Sequence, residues 1–217
     1  MTETAQTASG RRRRPGIRVM FLETQLDEAL TSQRSEIRFI RELLQAFGGI
    51  QLIAEEVHSR EDLVKFLDVA RTDPDIQAVH IVAHWARVGG ECDLVLTRDE
   101  VVDLRDRENR RLFRELNVES VFLSSCSLGG DPELMRRVLD ISGSDALFSY
   151  SRDVDDYEAF LTESIFYHLA FGHVRGRRSD LSFVEVYERL RFALDYLLID
   201  PDRHSLANPL LAAVFAE

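Results

Sequence analysis

The chain has 217 residues, 45% of them hydrophobic, and a formal net charge of −11. Such a length and composition describe one globular domain with a sizeable core and exclude a largely disordered chain. The acidic balance disfavours direct nucleic-acid binding, and no apolar run approaches the roughly 18 residues that would nominate a membrane span.

The charge is unevenly placed. Residues 1–18 hold Arg11, Arg12, Arg13, Arg14 and Arg18 against Glu3, so the remainder is more acidic than the total suggests. Residues 1–16 read as a disordered basic tail. The Arg11–Arg14 run could also be a localisation signal, a partner-binding tail or a processing site. Residues 1–10 lack an apolar core, so no secretory signal is expected. The chain has two cysteines, Cys92 and Cys126, which could form one disulfide. Without a cysteine framework, a cytoplasmic protein with reduced thiols is the expectation. The expected division is a tail over 1–16, a folded domain over 17–200 and a C-terminal extension over 201–217.

Ile17 to Leu22 predicts a first strand. Ser35 can cap a helix whose body runs from Arg38 to Ala46, with Ile37, Ile40, Leu43, Leu44 and Phe47 at helical spacing. Gly48-Gly49 stops it. Ile50 to Val57 predicts a second strand, and Glu61 to Arg71 a second helix with Leu63, Phe66, Leu67 and Ala70 inward. Asp73-Pro74-Asp75 turns into a third strand, Ile76 to His84. Val88 to Thr97 and Arg98 to Val102 predict a small hairpin. Arg107 to Leu116 predicts a crossover helix into the strand Val118 to Cys126. Pro132 suits the first turn of a helix running to Asp140. Asp145 to Ser151 predicts a fifth strand. Two helices follow, Asp156 to Phe171 closed by Gly172, and Leu181 to Leu198 before Pro201. Strands alternating with helices imply a mostly parallel sheet with helices on both faces and right-handed crossovers.

Sites in such sheets form at the carboxyl ends of the strands. The third strand ends on His84 and the fourth on Cys126. If the two strands are neighbours, an imidazole and a thiol stand side by side. A thiol is mostly protonated at neutral pH. A neighbouring imidazole can take its proton and later protonate a leaving amine, which is the minimum equipment of a cysteine protease. Backbone N–H groups of Cys126 and Trp85 are the candidates for stabilising the oxyanion. Ser127-Leu128-Gly129-Gly130 follows the cysteine, and small residues there let a substrate backbone approach. Asp153, Asp155 and Asp156 follow the fifth strand, where they could attract a basic side chain or serve as helix-start carboxylates. His80 reads as a packed core residue and His58 as a surface one, and Cys92 has no partner histidine nearby in sequence. His168 and His173 have no metal spacing. No zinc motif, phosphate loop or dinucleotide fingerprint occurs, so neither metal nor cofactor is expected.

The segment resembles the caspase-like superfamily of cysteine peptidases, particularly its prokaryotic branch with the CHAT domain. The likeness spans roughly residues 17 to 172 and rests on the order of elements, on Ser124-Ser125-Cys126 and on the upstream His84. Trp85 stands where that family usually has glycine, and Ser124 where caspases have glutamine. The resemblance implies a caspase-like α/β fold with a small hairpin after the histidine strand. It implies a His84–Cys126 dyad and a substrate groove lined by Ser124, Ser151, Asp153 and Asp155. It also implies a protein substrate, an activating or sensor protein as partner, and a role in prokaryotic antiviral defence or cell death. Ser124 cannot supply the charge that holds an acidic side chain, so a basic or small residue before the cleaved bond is expected. Two other readings stay open: a catalytically silent interaction module with the Trp85 indole in the groove, and a flavodoxin-like signalling domain, which the hairpin fits poorly.

Overall fold

The apolar runs form the strands expected of them, and the amphipathic runs pack around them. A computed structural model describes residues 17–24, 35–47, 50–86, 93–97, 100–174, 177–178, 180–197 and 210–216, with the backbone alone for residues 47, 84–86, 93, 173–174, 177–178 and 195–197. In chain order, Ile17–Thr24 is β1, Glu36–Phe47 α1, Ile50–Val57 β2, Arg60–Thr72 α2, Ile76–Val82 β3 and His84–Ala86 β4. Asp93–Thr97 is β5 and Glu100–Asp103 β6, followed by the one-turn helix α3, Arg107–Arg110. Ser120–Ser124 is β7, Pro132–Ser142 α4, Ala146–Tyr150 β8 and Asp156–Phe171 α5. His173–Val174 and Arg177–Arg178 form the short ribbon β9–β10; Phe183–Leu197 is α6 and Leu211–Phe215 is β11.

The main sheet has the order β11-β8-β7-β3-β1-β2. It is parallel from β2 through β8, and β11 closes one edge antiparallel to β8. Every residue of β7 and β8 is buried, which explains why these strands read as continuous apolar runs. Their alternate side chains feed two cores. Met20, Leu22, Val79, Ile81, Val121, Leu123 and Leu147 meet Leu63 and Leu67 of α2 and Leu134 and Val138 of α4. On the opposite face Val19, Phe21, Ala78, Phe122 and Phe148 meet Ile40 of α1, Phe166 of α5 and Leu190 of α6. Exposed Glu55 and Glu56 on the other edge strand, β2, oppose pairing with another chain.

Three departures from the sequence reading have local causes. Arg107 to Leu116 is not one helix. It is a single α turn followed by a 3-10 turn at Arg111–Phe113. The chain then leaves helical geometry because Glu115 and Asn117, both at positive φ, donate their N–H groups to Ile141 O and Ser142 O at the end of α4. The third strand stops at Val82, and His84 opens a separate antiparallel sheet, β4-β5-β6, in which it pairs with Val95. Leu211–Phe215, within the segment read as an extension, supplies β11 of the main sheet, paired from Leu211↔Tyr150 to Phe215↔Ala146. The hairpin appears as β5–β6, while Val88 to Cys92 lies outside the described residues, as does the tail 1–16.

Glu23, at the carboxyl end of β1, caps α1. Its carboxylate accepts from Ser35 Oγ at 2.8 Å, from Ile37 N at 3.3 Å and from Glu36 N. Burial pushes its pKa above the ordinary 4.5 despite those bonds. A raised native value means that folding takes up a proton, so the contribution of Glu23 is greatest at low pH and is lost as pH rises through the native pKa. Relative to a non-titrating Glu23→Gln variant, the wild type therefore loses stability as pH rises from about 4 through that window, and the difference is flat above it. Urea unfolding across pH measures this; a wild type that gains on the variant through the window contradicts burial as the dominant cause.

Candidate active site

The parallel pairing of β3 with β7 runs in register from Ala78↔Ser120 to Val82↔Ser124. One further bond, from Ala83 N to Ser124 O at 3.1 Å, closes the ladder. His84 and Cys126 thus follow their strands by the same number of residues beyond the Val82–Ser124 pair, at the carboxyl end of two central neighbours. His84 and Trp85 enter β4, where their backbones pair with Val95 and Leu94.

Cys126 is half-buried and reduced. Its sulfur lies 3.5 Å from Val154 N and 3.7 Å from Val154 O. The thiol can donate weakly to the carbonyl, whereas a thiolate keeps the amide, whose N–H stabilises the charged form. The turn after Cys126 is clamped by the same segment. Ser127 sits in the left-handed region at φ 61, its N–H donates to Arg152 O at 3.1 Å, and its hydroxyl donates to Asp153 Oδ1 at 2.9 Å. A left-handed conformation at a serine costs energy, and these two bonds hold it.

The glycines after the cysteine have an internal reason. A Cβ on Gly129 would lie 2.8 Å from Ser149 O, 2.9 Å from Tyr150 O and 2.9 Å from Ala212 Cβ; one on Gly130 would lie 3.1 Å from Ser151 O. The 3-10 turn Leu128–Gly130 presses against β8 and β11, so the chain's own backbone makes the close approach that the sequence reading assigned to a substrate.

The other expected groove residues occupy distinct places. Ser124 is 6% exposed, and its hydroxyl donates inward to Glu163 Oε1 at 2.7 Å. Ser151 is half-buried and bonds Leu210 O through both its N–H, at 2.9 Å, and its hydroxyl, at 3.2 Å. Asp153 and Asp155 are exposed. Asp155 is the N-cap of α5, forming a capping box with Glu158. With Arg152, Val154 and Glu158 the two carboxylates line a shallow depression of about 420 Å³ next to the cysteine. Arg152 is held there by Glu158 at 3.3 Å.

His80 is 1% exposed, stacked between Phe21 and Phe122, as expected of a core residue. His58 and His168 are exposed, and His58 lies 3.3 Å from Glu56. His173 has only its backbone described, and Cys92 lies outside the described residues. Sequence reasoning missed two participants. The Val154 amide is backbone and leaves no side-chain signal. Glu163 does leave one: it falls on the apolar stripe of α5 with Ala159, Phe166 and Tyr167.

No protein-family model matches the chain, and no curated protein matches it by sequence. Its fold is similar to that of the initiator caspase Dronc of Drosophila. The TM-score is 0.54 at 8% identity, over 99% of this chain and 89% of that one.

Replacing Gly129 with alanine should cost roughly 1–3 kcal/mol, the scale of overpacking in a closed site. Thermal unfolding of Gly129→Ala measures it, and an unchanged Tm contradicts the packing assigned here. The comparison and the sheet order together establish a caspase-like α/β fold: a mostly parallel six-stranded sheet covered by helices on both faces.

Proposed function

We propose that this protein is a cysteine endopeptidase in which Cys126 is the nucleophile and His84 its base. The observation that carries the reading is the in-register pairing of β3 with β7, from which both residues emerge at the carboxyl end of the sheet. His84 takes the thiol proton, and the thiolate attacks a peptide carbonyl to give a tetrahedral oxyanion. The N–H groups of Cys126 and Trp85 receive that oxyanion. Collapse expels the amine, protonated by His84, and leaves an acyl-enzyme that water hydrolyses. The exposed Asp153 and Asp155 favour a basic or small side chain before the cleaved bond.

The resemblance to the CHAT branch supports a regulated prokaryotic protease. It would act in the cytoplasm on a protein substrate, under an activating or sensor partner, in antiviral defence or cell death. Among the described residues no helix is long and apolar enough to cross a membrane. The second reading, a silent interaction module, is favoured by the engaged state of the site. Asp153 already accepts from Ser127 and Asp155 from Glu158 N, and the sulfur rests on Val154.

The test is cleavage of a peptide library by purified protein. Cys126→Ala and His84→Ala should each abolish it, nearly non-additively, while leaving the Tm close to that of the wild type. Retained cleavage in Cys126→Ala overturns the assignment. A profile dominated by aspartate overturns the specificity and would require Arg87 or Arg152 in the pocket.

A further inference from the structure

Three strands that end beneath the candidate site converge on one buried carboxylate. Glu163 of α5 is 0% exposed. Its Oε1 accepts from Ser124 Oγ at 2.7 Å and from the Tyr150 hydroxyl at 3.2 Å, and it faces His80 Nε2 at 3.5 Å. Ser124 ends β7, Tyr150 ends β8, and His80 belongs to β3. One helical turn on, the Tyr167 hydroxyl meets His80 Nδ1 at 2.8 Å. The two phenols keep their protons, because burial first and the Glu163 charge second push both well above the ordinary tyrosine value. They therefore remain hydroxyl groups in this network.

A carboxylate in this layer is a costly way to fill space. Phe122, Phe148 and Phe166 pack the same layer, and an apolar side chain of similar size would fill it without desolvating a charge. What Glu163 adds is direction. It draws the last residue of β7, two before Cys126, and the last residue of β8, four before Val154, towards a single atom. Those two strand ends carry the sulfur and the amide that meets it.

Resting on the peptidase reading for its consequence but not for its test, we propose that Glu163 is a positioning residue for Cys126, holding the ends of β7 and β8 so that the sulfur is presented against the 151–154 segment. It touches no substrate. It acts through Ser124 and Tyr150. Ser124, read from the sequence as a groove residue, has its part here as the hydroxyl that couples the nucleophile strand to α5.

The test is the rate at which iodoacetamide alkylates Cys126 at pH 7 in the full-length protein, followed by mass spectrometry so that Cys92 is counted separately. Glu163→Gln retains an acceptor for both hydroxyls and should react within about twofold of wild type. Glu163→Leu should react roughly tenfold more slowly per folded molecule, the scale of a sub-ångström misplacement. If Glu163→Leu does not fold, Ser124→Ala and Tyr150→Phe divide the network, and their effects on the rate should be non-additive. In the peptidase assay Glu163→Leu and the Ser124→Ala/Tyr150→Phe double variant should lose kcat with KM nearly unchanged, whereas Glu163→Gln should keep it. A folded Glu163→Leu protein, or a folded Ser124→Ala/Tyr150→Phe double variant, that alkylates at the wild-type rate overturns the proposal. Alkylation that depends on Glu163 in a protein that cleaves nothing supports the positioning role and overturns only the peptidase.

Discussion

The last rung between β3 and β7, Ala83 N to Ser124 O at 3.1 Å, is the constraint on which the site depends. A slip of one residue in that ladder would turn every side chain of one strand to the opposite core. It would exchange Phe122 for Leu123 between two layers with different partners. Because both faces of both strands are buried, such a slip is excluded by packing on two sides at once. The equal offset of His84 and Cys126 beyond the Val82–Ser124 pair follows from the same packing, so the geometry proposed for catalysis is inherited from the core.

The segment after β8 is the second determinant. Residues 152–154 hold the turn at Cys126 through Arg152 O to Ser127 N, Asp153 to the Ser127 hydroxyl, and Val154 N and O to the sulfur. The segment is in turn anchored by the capping box that starts α5 and by the Arg152–Glu158 pair, 18% and 8% exposed. A charge pair this sheltered from solvent is screened less by salt than a surface pair of the same length. The cysteine loop, the acidic depression and α5 therefore form one connected unit, with Glu163 behind it.

Much of this was legible in the sequence because it rests on short-range signals. Continuous apolar runs marked the buried parallel strands, and amphipathic spacing marked α1 and α2. That His84 and Cys126 each follow two residues beyond the paired strand ends Val82 and Ser124 was close to legible, because the apolar runs stop near there. What was not legible depended on distant partners. The run Arg107 to Leu116 has helical composition, but its end is drawn away by carbonyls of α4, more than twenty residues later. His84 belongs by pairing to Val95 and not to β3, a choice that a strand pattern cannot show. Leu211–Phe215 is a run too short to separate strand from helix until β8 offers an edge. Gly129 and Gly130 signalled a close approach, but the approaching backbone is that of Ser149, Tyr150 and Ser151, which are distant in sequence. Glu163 was visible as a charge on an apolar face, whereas the three strands it serves were not.

The central claim is that Cys126 is a nucleophile activated by His84. The most direct measurement is labelling of the purified protein with a peptide carrying an acyloxymethyl ketone, followed by mass mapping of the adduct. The account predicts modification at Cys126 in the wild type and none in His84→Ala at the same concentration and time. Equal labelling of Cys126 in both proteins, or labelling confined to Cys92, would contradict it.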